Sequence, residues 1–513
     1  MFNLKVTEMK FNYFKREKNE VINYEGAKAY SMTPEMELYS AVVTSGLNDV
    51  TYEKENDRLK RVQNLIQKCD PQFIAKLAVY VRTQMYMRSV PMVLTVELAK
   101  INSGNNLVNK TVQKVIQRAD EITELLAYYQ MANNRTETKK LNRLSKQIQK
   151  GLADSFNRFD EYQFAKYNRQ GEVKLRDALF LVHPKAKDEA QQVIFNKIAD
   201  NNLAVPYTWE TELSQVGQHS FINDAEKKQA FKQKWEELID SNRVGYMAMM
   251  RNLRNIIEAE VSFQHIEKVC QYLSNEKAVA NSKQLPFRFL AAYREIKALK
   301  SRYTTMILDA LEDAVMYSAQ NIKGFDGNTS VVIACDVSGS MQQPISKNSK
   351  VLLYDIGLML GMLMHSRCKN VISGMFGDTW KVINMSKRNI LANVQEFYRR
   401  EGEVGYSTNG YLVIEDLIKR KEIVDKVMLF TDVQMWNSNG TAYSFENSWK
   451  RYKTIAPNVK LYLFDLAGYG QVPLDIKNND VHLIAGWSDK VFDILHALEN
   501  KTSALQYINS IEL

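Results

Sequence analysis

The sequence predicts two architectures in one chain, an α-solenoid followed by an α/β domain built on a doubly wound parallel sheet. Three observations carry this. Its 513 residues exceed the size at which a single core stops growing. Through about residue 320 apolar residues recur at helical spacing, and proline is scarce at nine in the whole chain. Beyond that point near-continuous Val/Ile/Leu runs alternate with helical segments, the pattern of strands covered on both faces.

In the helical half, "TPEMELYSAVV" offers Thr33 as an N-cap with Pro34 in the first turn, and "DPQFIAKLAVYVRTQM" offers Asp70 with Pro71. In the second of these, Ile74, Leu77, Ala78, Val81 and Met85 form one apolar stripe. Further helices are expected at about 91–102, 120–131, 175–182, 186–200, 225–239, 243–257, 285–298 and 303–320. No tight repeat is present, but helix pairs at roughly forty-residue intervals point to stacked units of the HEAT type. "NIKGFDGNTS" at 321–330 breaks the rhythm with two glycines, which sets the expected domains at 1–325 and 326–513. Strands are then expected at "SVVIACD", "NVISGMF", "DKVMLFTD", "VKLYLFDL" and "VHLIAGW", with helices near 350–366, 390–399, 409–421, 444–453 and 488–499. Sheets of this kind bind ligands beyond the carboxyl ends of their strands, where Asp336 and Asp432 sit.

Composition narrows the partners. At 45% hydrophobic and 25% charged residues the chain is an ordinary core-forming protein. Cys69, Cys270, Cys335 and Cys368 are dispersed without a C-x-x-C pair, which suits a reducing cytosol and a cytoplasmic location. "MFNLKVTEMKFNYFKREKNE" carries charge throughout, so it is not expected to act as a secretory signal. The apolar run at 351–366 contains Asp355 and reads as a buried helix rather than a membrane span. Net charge is +9, and because acidic and basic residues balance from 326 onward, the whole excess lies in residues 1–325. Nucleic acid is therefore expected to engage the helical half; the alternative is a merely soluble basic surface.

"ACDVSGSM" at 334–341 places Asp336, Ser338 and Ser340 at i, i+2 and i+4 as the chain leaves a strand. A carboxylate and two hydroxyls facing one point are hard oxygen donors suited to Mg²⁺; a polar turn with no ion is the alternative. "GYSTNG" adds Thr408 before a helix, and "LFTD" adds Asp432 at another strand end. With these the sequence resembles the von Willebrand factor A domain and its metal-ion-dependent adhesion site. That resemblance implies that Ser338 and Ser340 bind the metal directly, that Thr408 does so directly or through water, and that Asp336 and Asp432 act largely through waters. An acidic partner would take the open position. Enzymatic readings fare worse, since the chain has no G-x-S-x-G elbow, no GxxxxGK[ST] loop, and six dispersed histidines without H-E-x-x-H spacing.

Basic residues interleaved with aromatics mark the helical half. "YMAMMRNLRNII" carries Arg251 and Arg254 one turn apart beside an apolar stripe, a spacing suited to adjacent phosphates or unpaired bases, or to ion pairs with a neighbouring helix. "AKYNRQ" groups Lys166, Tyr167 and Arg169, and "LVHPK" ends a helix with His183 and Lys185; core packing for Tyr167 and helix capping for His183 are the alternatives. Arg88 and Arg288 are weaker candidates of the same kind.

These stretches, with "MRSVPMVL", "LPFRFLAAYREI" and the ending "LIAGWSDKVFDIL", resemble the Ro autoantigen family in its bacterial form, a TROVE domain followed by a von Willebrand A-like domain. The resemblance implies a nonenzymatic, monomeric ring of helices without membrane contact. Its inner wall would hold single-stranded 3′ ends of misfolded noncoding RNAs, and its outer surface a small Y-like RNA. In related bacterial proteins a Y RNA tethers the exoribonuclease polynucleotide phosphorylase. Lys166, Arg169, His183, Lys185, Arg251 and Arg254 carry over as RNA-binding residues. The basic stretch 131–151 has no clear counterpart in the family. A metal-dependent protein scaffold without specific RNA function is the rival reading.

Overall fold

The structure is a computed structural model that describes residues 20–45, 51–134, 144–346, 349–439, 444–476 and 480–513. From Pro34 to Ser318 the described chain is helical, with short connections. The expected starts hold: the Thr33 side chain accepts from the Met36 amide, and Asp70 Oδ1 accepts from the amides of Gln72 (2.8 Å) and Phe73 (3.2 Å). Asp and Ser/Thr oxygens in this position satisfy amides that have no partner within the helix. The stripe from Ile74 to Met85 is buried throughout.

One expected helix is two. The segment at 243–257 divides into Tyr246–Arg251 and Leu253–Glu258, because Asn252 leaves helical geometry (φ −98°, ψ 7°) and its side-chain amide donates to the Ala248 carbonyl at 2.9 Å. Tyr246, Met249, Met250, Leu253 and Ile256 remain buried across the break. Arg251 and Arg254 therefore belong to different helices. Of the unplaced basic stretch 131–151, residues 135–143 lie outside the described residues, and its end starts the helix Lys146–Phe156.

Nine strands occur among the described residues: β1 (Glu20–Ile22), β2 (Lys28–Ser31), β3 (Ser330–Asp336), β4 (Asn370–Phe376), β5 (Trp380–Val382), β6 (Lys426–Thr431), β7 (Lys460–Asp465), β8 (Gln471–Val472) and β9 (Val481–Ala485). The main sheet runs β5-β4-β3-β6-β7-β9. All its pairings are parallel except β4 with β5, which follows β4 across too few residues for a crossover and so returns antiparallel. The five strands expected from sequence are the five parallel ones. Alternate side chains sort to opposite faces: Ile333, Cys335, Met428 and Phe430 belong to the core with helix Leu353–Arg367, whereas Val332, Ala334, Val427 and Leu429 face Tyr411–Arg420 and Phe445–Ile455. β1 and β2 form a hairpin whose second strand pairs with β8, so the start of the described chain joins the sheet domain rather than the solenoid.

The solenoid closes onto the sheet domain at both ends. At its start, buried Arg58 and its neighbour Arg61 share Glu53 and donate to the carbonyls of Ala467 and Gly468 (both 2.7 Å), and Ser40 donates to Asp465 Oδ2 at 2.5 Å. Gly468 has φ +66°, and a side chain there would meet Thr44 Oγ1 at 2.2 Å, so only glycine permits this approach. Tyr39 donates to the Ala485 carbonyl at 3.0 Å, and Tyr507 near the chain end donates to Gln84 at 3.1 Å. At its other end, Arg294 grips buried Asp355 with two bonds of 2.8 and 2.6 Å. Glu312 accepts the amides of Leu391 (3.0 Å) and Ala392 (2.7 Å) at the start of helix Ile390–Arg400. The result is a helical ring closed by the sheet domain. Asp355 thus sits in a buried helix, and among the described residues no helix is long and apolar enough to cross a membrane.

Candidate metal centre and nucleic-acid surface

In the main sheet β3 and β6 are neighbours, but the chain runs from β3 outward to β4 and only later returns to β6. Their carboxyl ends therefore frame the crevice where such sheets bind ligands. Three loops meet there. Asp336 ends β3 and is followed by the short 3-10 helix Gly339–Gln342; the Gly339 amide donates to the Tyr406 carbonyl at 2.9 Å, bringing up the loop that bears Thr408. The Thr408 carbonyl in turn accepts from the Trp436 amide at 3.3 Å, which joins the loop after Asp432. All five expected residues, Asp336, Ser338, Ser340, Thr408 and Asp432, are buried in this one place.

Their hydrogen bonds orient oxygens toward a common point. Asp336 Oδ1 accepts from the Ser338 amide (2.9 Å) and Oδ2 from the Thr431 hydroxyl (2.6 Å). The hydroxyls of Ser338 and Ser340 are 3.3 Å apart. Asp432 Oδ1 accepts from the Gln434 amide at 3.0 Å, while its Oδ2 is buried without any hydrogen-bond partner. Burial pushes both carboxyls above the ordinary aspartate range, and the charge of Asp336 pushes Asp432 further. Two buried carboxylates with one orphan oxygen between hydroxyls are costly by themselves and are what a divalent cation would relieve. The donor set is all oxygen; no group of three His, Cys, Asp or Glu capable of holding a metal occurs among the described residues. These residues fit a hard cation such as Mg²⁺. Thr431, whose hydroxyl holds Asp336, was not legible in sequence because "LFTD" draws attention to its acid.

The basic candidates fall into two groups. Arg251, Arg254 and Arg288 line a cavity of about 820 Å³ between the helices around 246–258 and 286–297 and the sheet-domain residues Ser349–Val351. Arg254 is engaged by Glu258 (2.8 Å) and Glu295 (3.1 Å), the ion-pair alternative. Arg251 and Arg288 form no salt bridge among the described residues. Partial desolvation by the cavity, and then the positive charge of Arg251, hold Arg288 below the ordinary arginine range. Unneutralised guanidiniums that repel one another are a site for anions. Lys350 and Arg294, which sequence reasoning did not single out, stand on the same wall.

In the second group, Lys166, Arg169, His183 and Lys185 are exposed. His183 ends helix Leu175–Val182 in left-handed geometry (φ 50°, ψ 58°), which is its capping role. Tyr167 is half-buried, with the Arg118 guanidinium 4.2 Å from its ring centre and Lys166 at 5.7 Å. Arg88 is tied to Asp120 (2.9 Å) and Glu121 (3.3 Å), alongside Arg82 and Arg118, and serves an internal charge network.

A closed helical ring joined to an A-like domain with an Asp-Ser-Ser, Thr and Asp cluster defines the class of protein. Residues 28–205 and 200–322 match the TROVE domain, and the chain belongs to the TROVE family of Ro-type proteins, which are generally RNA-binding. No catalytic family is indicated. Telomerase protein component 1 of Mus musculus is 24% identical over 319 residues, covering 47% of this chain, and that of Rattus norvegicus is 23% identical over 322 residues, covering 48%. The chain spans only 12% of the length of either relative. Among solved structures it is similar to the crystal structure of the Deinococcus radiodurans RO (RSR) protein, with a TM-score of 0.57 at 16% identity, covering 93% of this chain and 99% of that one. That likeness extends the shared fold through the sheet domain.

Proposed function

We propose that this protein is a nonenzymatic RNA-binding ring that holds unpaired 3′ ends of misfolded RNAs and a small structured, Y-like RNA. The observation that carries this is the cavity in which Arg251 and Arg288 face each other without acidic partners, with Arg254, Arg294 and Lys350 around them. It lies where the solenoid meets the sheet domain and is walled by both, which supports a flexible single strand over a duplex as its occupant. The exposed Lys166, Arg169, His183 and Lys185, with half-buried Tyr167, are assigned to the structured RNA. Binding there would let that RNA recruit a nuclease such as polynucleotide phosphorylase, in keeping with a role in cytoplasmic RNA quality control.

The test is equilibrium binding of a labelled duplex with a single-stranded 3′ tail against a blunt duplex. Arg251→Ala/Arg288→Ala should weaken the tailed RNA at least tenfold and lower its salt dependence by about 0.7 in slope for each phosphate that is no longer neutralised. Arg254→Ala should cost less, because Glu258 and Glu295 already hold that guanidinium. Equal affinity for tailed and blunt RNA, unchanged in the double variant, would overturn the reading.

The A-like domain is proposed to bind Mg²⁺ through Ser338, Ser340 and Thr408, with Asp336 and Asp432 supplying negative charge. The orphan Asp432 Oδ2 favours this reading. Bound there, the ion would supply a Lewis-acidic position for a carboxylate, which makes the domain a docking point for an acidic partner.

A further inference from the structure

The β1–β2 turn reaches over the metal centre. The Asn23 side-chain amide donates to the Met435 carbonyl at 2.9 Å, and the Tyr24 amide donates to Gln434 Oε1 at 3.0 Å, so the turn is fastened to the loop just past Asp432. Asn23 Oδ1 also accepts from the amides of Glu25 (3.1 Å) and Ala27 (2.8 Å), which fixes the turn's shape. Gly26, with φ +80°, allows the chain to double back there.

A second segment arrives from the other side. Thr51 bonds Gln343 through its amide (2.5 Å) and its hydroxyl (2.9 Å), and reaches the Ser340 carbonyl at 3.3 Å. Tyr52 then places its hydroxyl between the Ser340 side chain and Glu25, donating to Glu25 Oε1. Tyr24 stacks on Tyr52 with ring centres 5.2 Å apart, and both meet the edge of Tyr469, at 5.5 and 5.3 Å. An aromatic wall therefore flanks the half-buried Glu25 carboxylate.

The electrostatics of this arrangement are odd without a cation. Tyr52 joins the Glu25 carboxylate to the Ser340 side of the site, and the charge of Glu25 is felt at buried Asp336. Among the described residues no Lys or Arg forms a salt bridge with it, although Glu53 and Glu37 at the domain junction both have one. A further carboxylate held beside a buried one is unfavourable unless a positive ion lies between them.

We propose that Glu25 is the in-chain ligand that occupies the coordination position left open by Ser338, Ser340, Thr408, Asp336 and Asp432. This rests on the metal reading above and extends it, since the domain would be self-closed in this state. An external acidic partner must then displace the Glu25 turn before it can reach the ion. The hairpin held by β8 then competes with the partner's carboxylate for the ion.

The test uses Mn²⁺ as the probe, on the full chain. Binding is followed by isothermal titration, and the number of exchangeable waters on bound Mn²⁺ by water-proton relaxation. Expected are an at least tenfold loss of affinity in Glu25→Ala, one more exchangeable water than in the wild type, and restoration of affinity by added acetate in the variant only. Tyr52→Phe, which keeps the aromatic wall and removes the hydroxyl, should show a smaller loss in the same direction. Wild-type affinity and water number in Glu25→Ala would overturn the proposal while leaving the metal reading intact. Absence of Mn²⁺ binding in the wild type, or its persistence in Asp336→Ala, would overturn the metal reading and this proposal together. Loss of affinity in Glu25→Ala without a new water or acetate rescue would assign Glu25 a structural part only, and so also overturn it.

Discussion

Asp432→Asn exchanges one of two adjacent buried carboxylates for an amide of the same shape. In the metal-free protein the Asp432 carboxyl is raised by burial and by the Asp336 charge, and its Oδ2 has no partner. Asn keeps the Oδ1 acceptor for the Gln434 amide (3.0 Å) and puts a donor where the orphan oxygen was. One unit of pKa shift corresponds to about 1.4 kcal/mol, so removing the group should stabilise the metal-free protein by roughly 1–3 kcal/mol at neutral pH. The sign follows from proton counting. Between the ordinary aspartate range and its raised folded value, the native state binds more protons at this site than the unfolded chain, so stability falls as pH rises across that window. The Asn variant should show a shallower fall. Mg²⁺ acts in the opposite sense, because protons compete with metal for the same oxygens and affinity should rise with pH. At a hundredfold excess over its dissociation constant Mg²⁺ should stabilise the wild type by about 2.7 kcal/mol, and the Asn variant by much less. Thermal unfolding with and without Mg²⁺ at several pH values measures all three effects, at roughly 2–4 °C per kcal/mol for a unit of 150–250 residues. A metal-free Asn variant less stable than the wild type, or one with an undiminished Mg²⁺ response, would refute the reasoning.

Arg294→Met should destabilise the junction between solenoid and sheet domain by about 2–4 kcal/mol, since it strands buried Asp355 with only the Leu352 amide at 2.8 Å. Urea unfolding checks this, and adding Asp355→Leu should recover most of the loss. Gly468→Ala should cost at least about 2 kcal/mol through its positive φ and the Thr44 clash, with hydrogen exchange rising first in residues 55–66 and 466–469. Lys166→Ala/Lys185→Ala should weaken a small structured RNA while leaving a short single strand bound as before; equal losses for both RNAs in a binding assay would contradict the two-surface division. Arg88→Ala should chiefly lower stability, by about 1 kcal/mol, because its partly exposed guanidinium pairs with Asp120 and Glu121.

Much of the fold was legible because it rests on local rules. Apolar periodicity identified helices and strands, Thr33 and Asp70 marked helix starts, and the strand pattern placed Asp336 and Asp432 at strand ends, while the sheet order made those strands neighbours. The exceptions are informative. Asn252 broke a helix whose apolar face continued unchanged, since a side-chain amide competing for the Ala248 carbonyl leaves no trace in periodicity. β1, β2 and β8 are too short to carry an alternation signal, and β1 and β2 pair with or beside a strand more than four hundred residues away.

The site divides along the same line. Asp336, Ser338 and Ser340 were readable because one turn of backbone holds all three, and Thr408 and Asp432 because each sits at a recognisable strand or helix boundary. The sequence by itself determined the proposed donor residues, the residue types of the basic helices and the location of the charge excess. Only the tertiary structure decided which arginines stay unpaired: Arg254 finds Glu295, forty-one residues away, whereas Arg251 finds Arg288. It alone carried the Glu25 turn to the loop after Asp432 and Lys350 to the solenoid. Spacing in sequence constrains only neighbours on one helix or strand, while charge and coordination depend on distance in space, which ring closure sets.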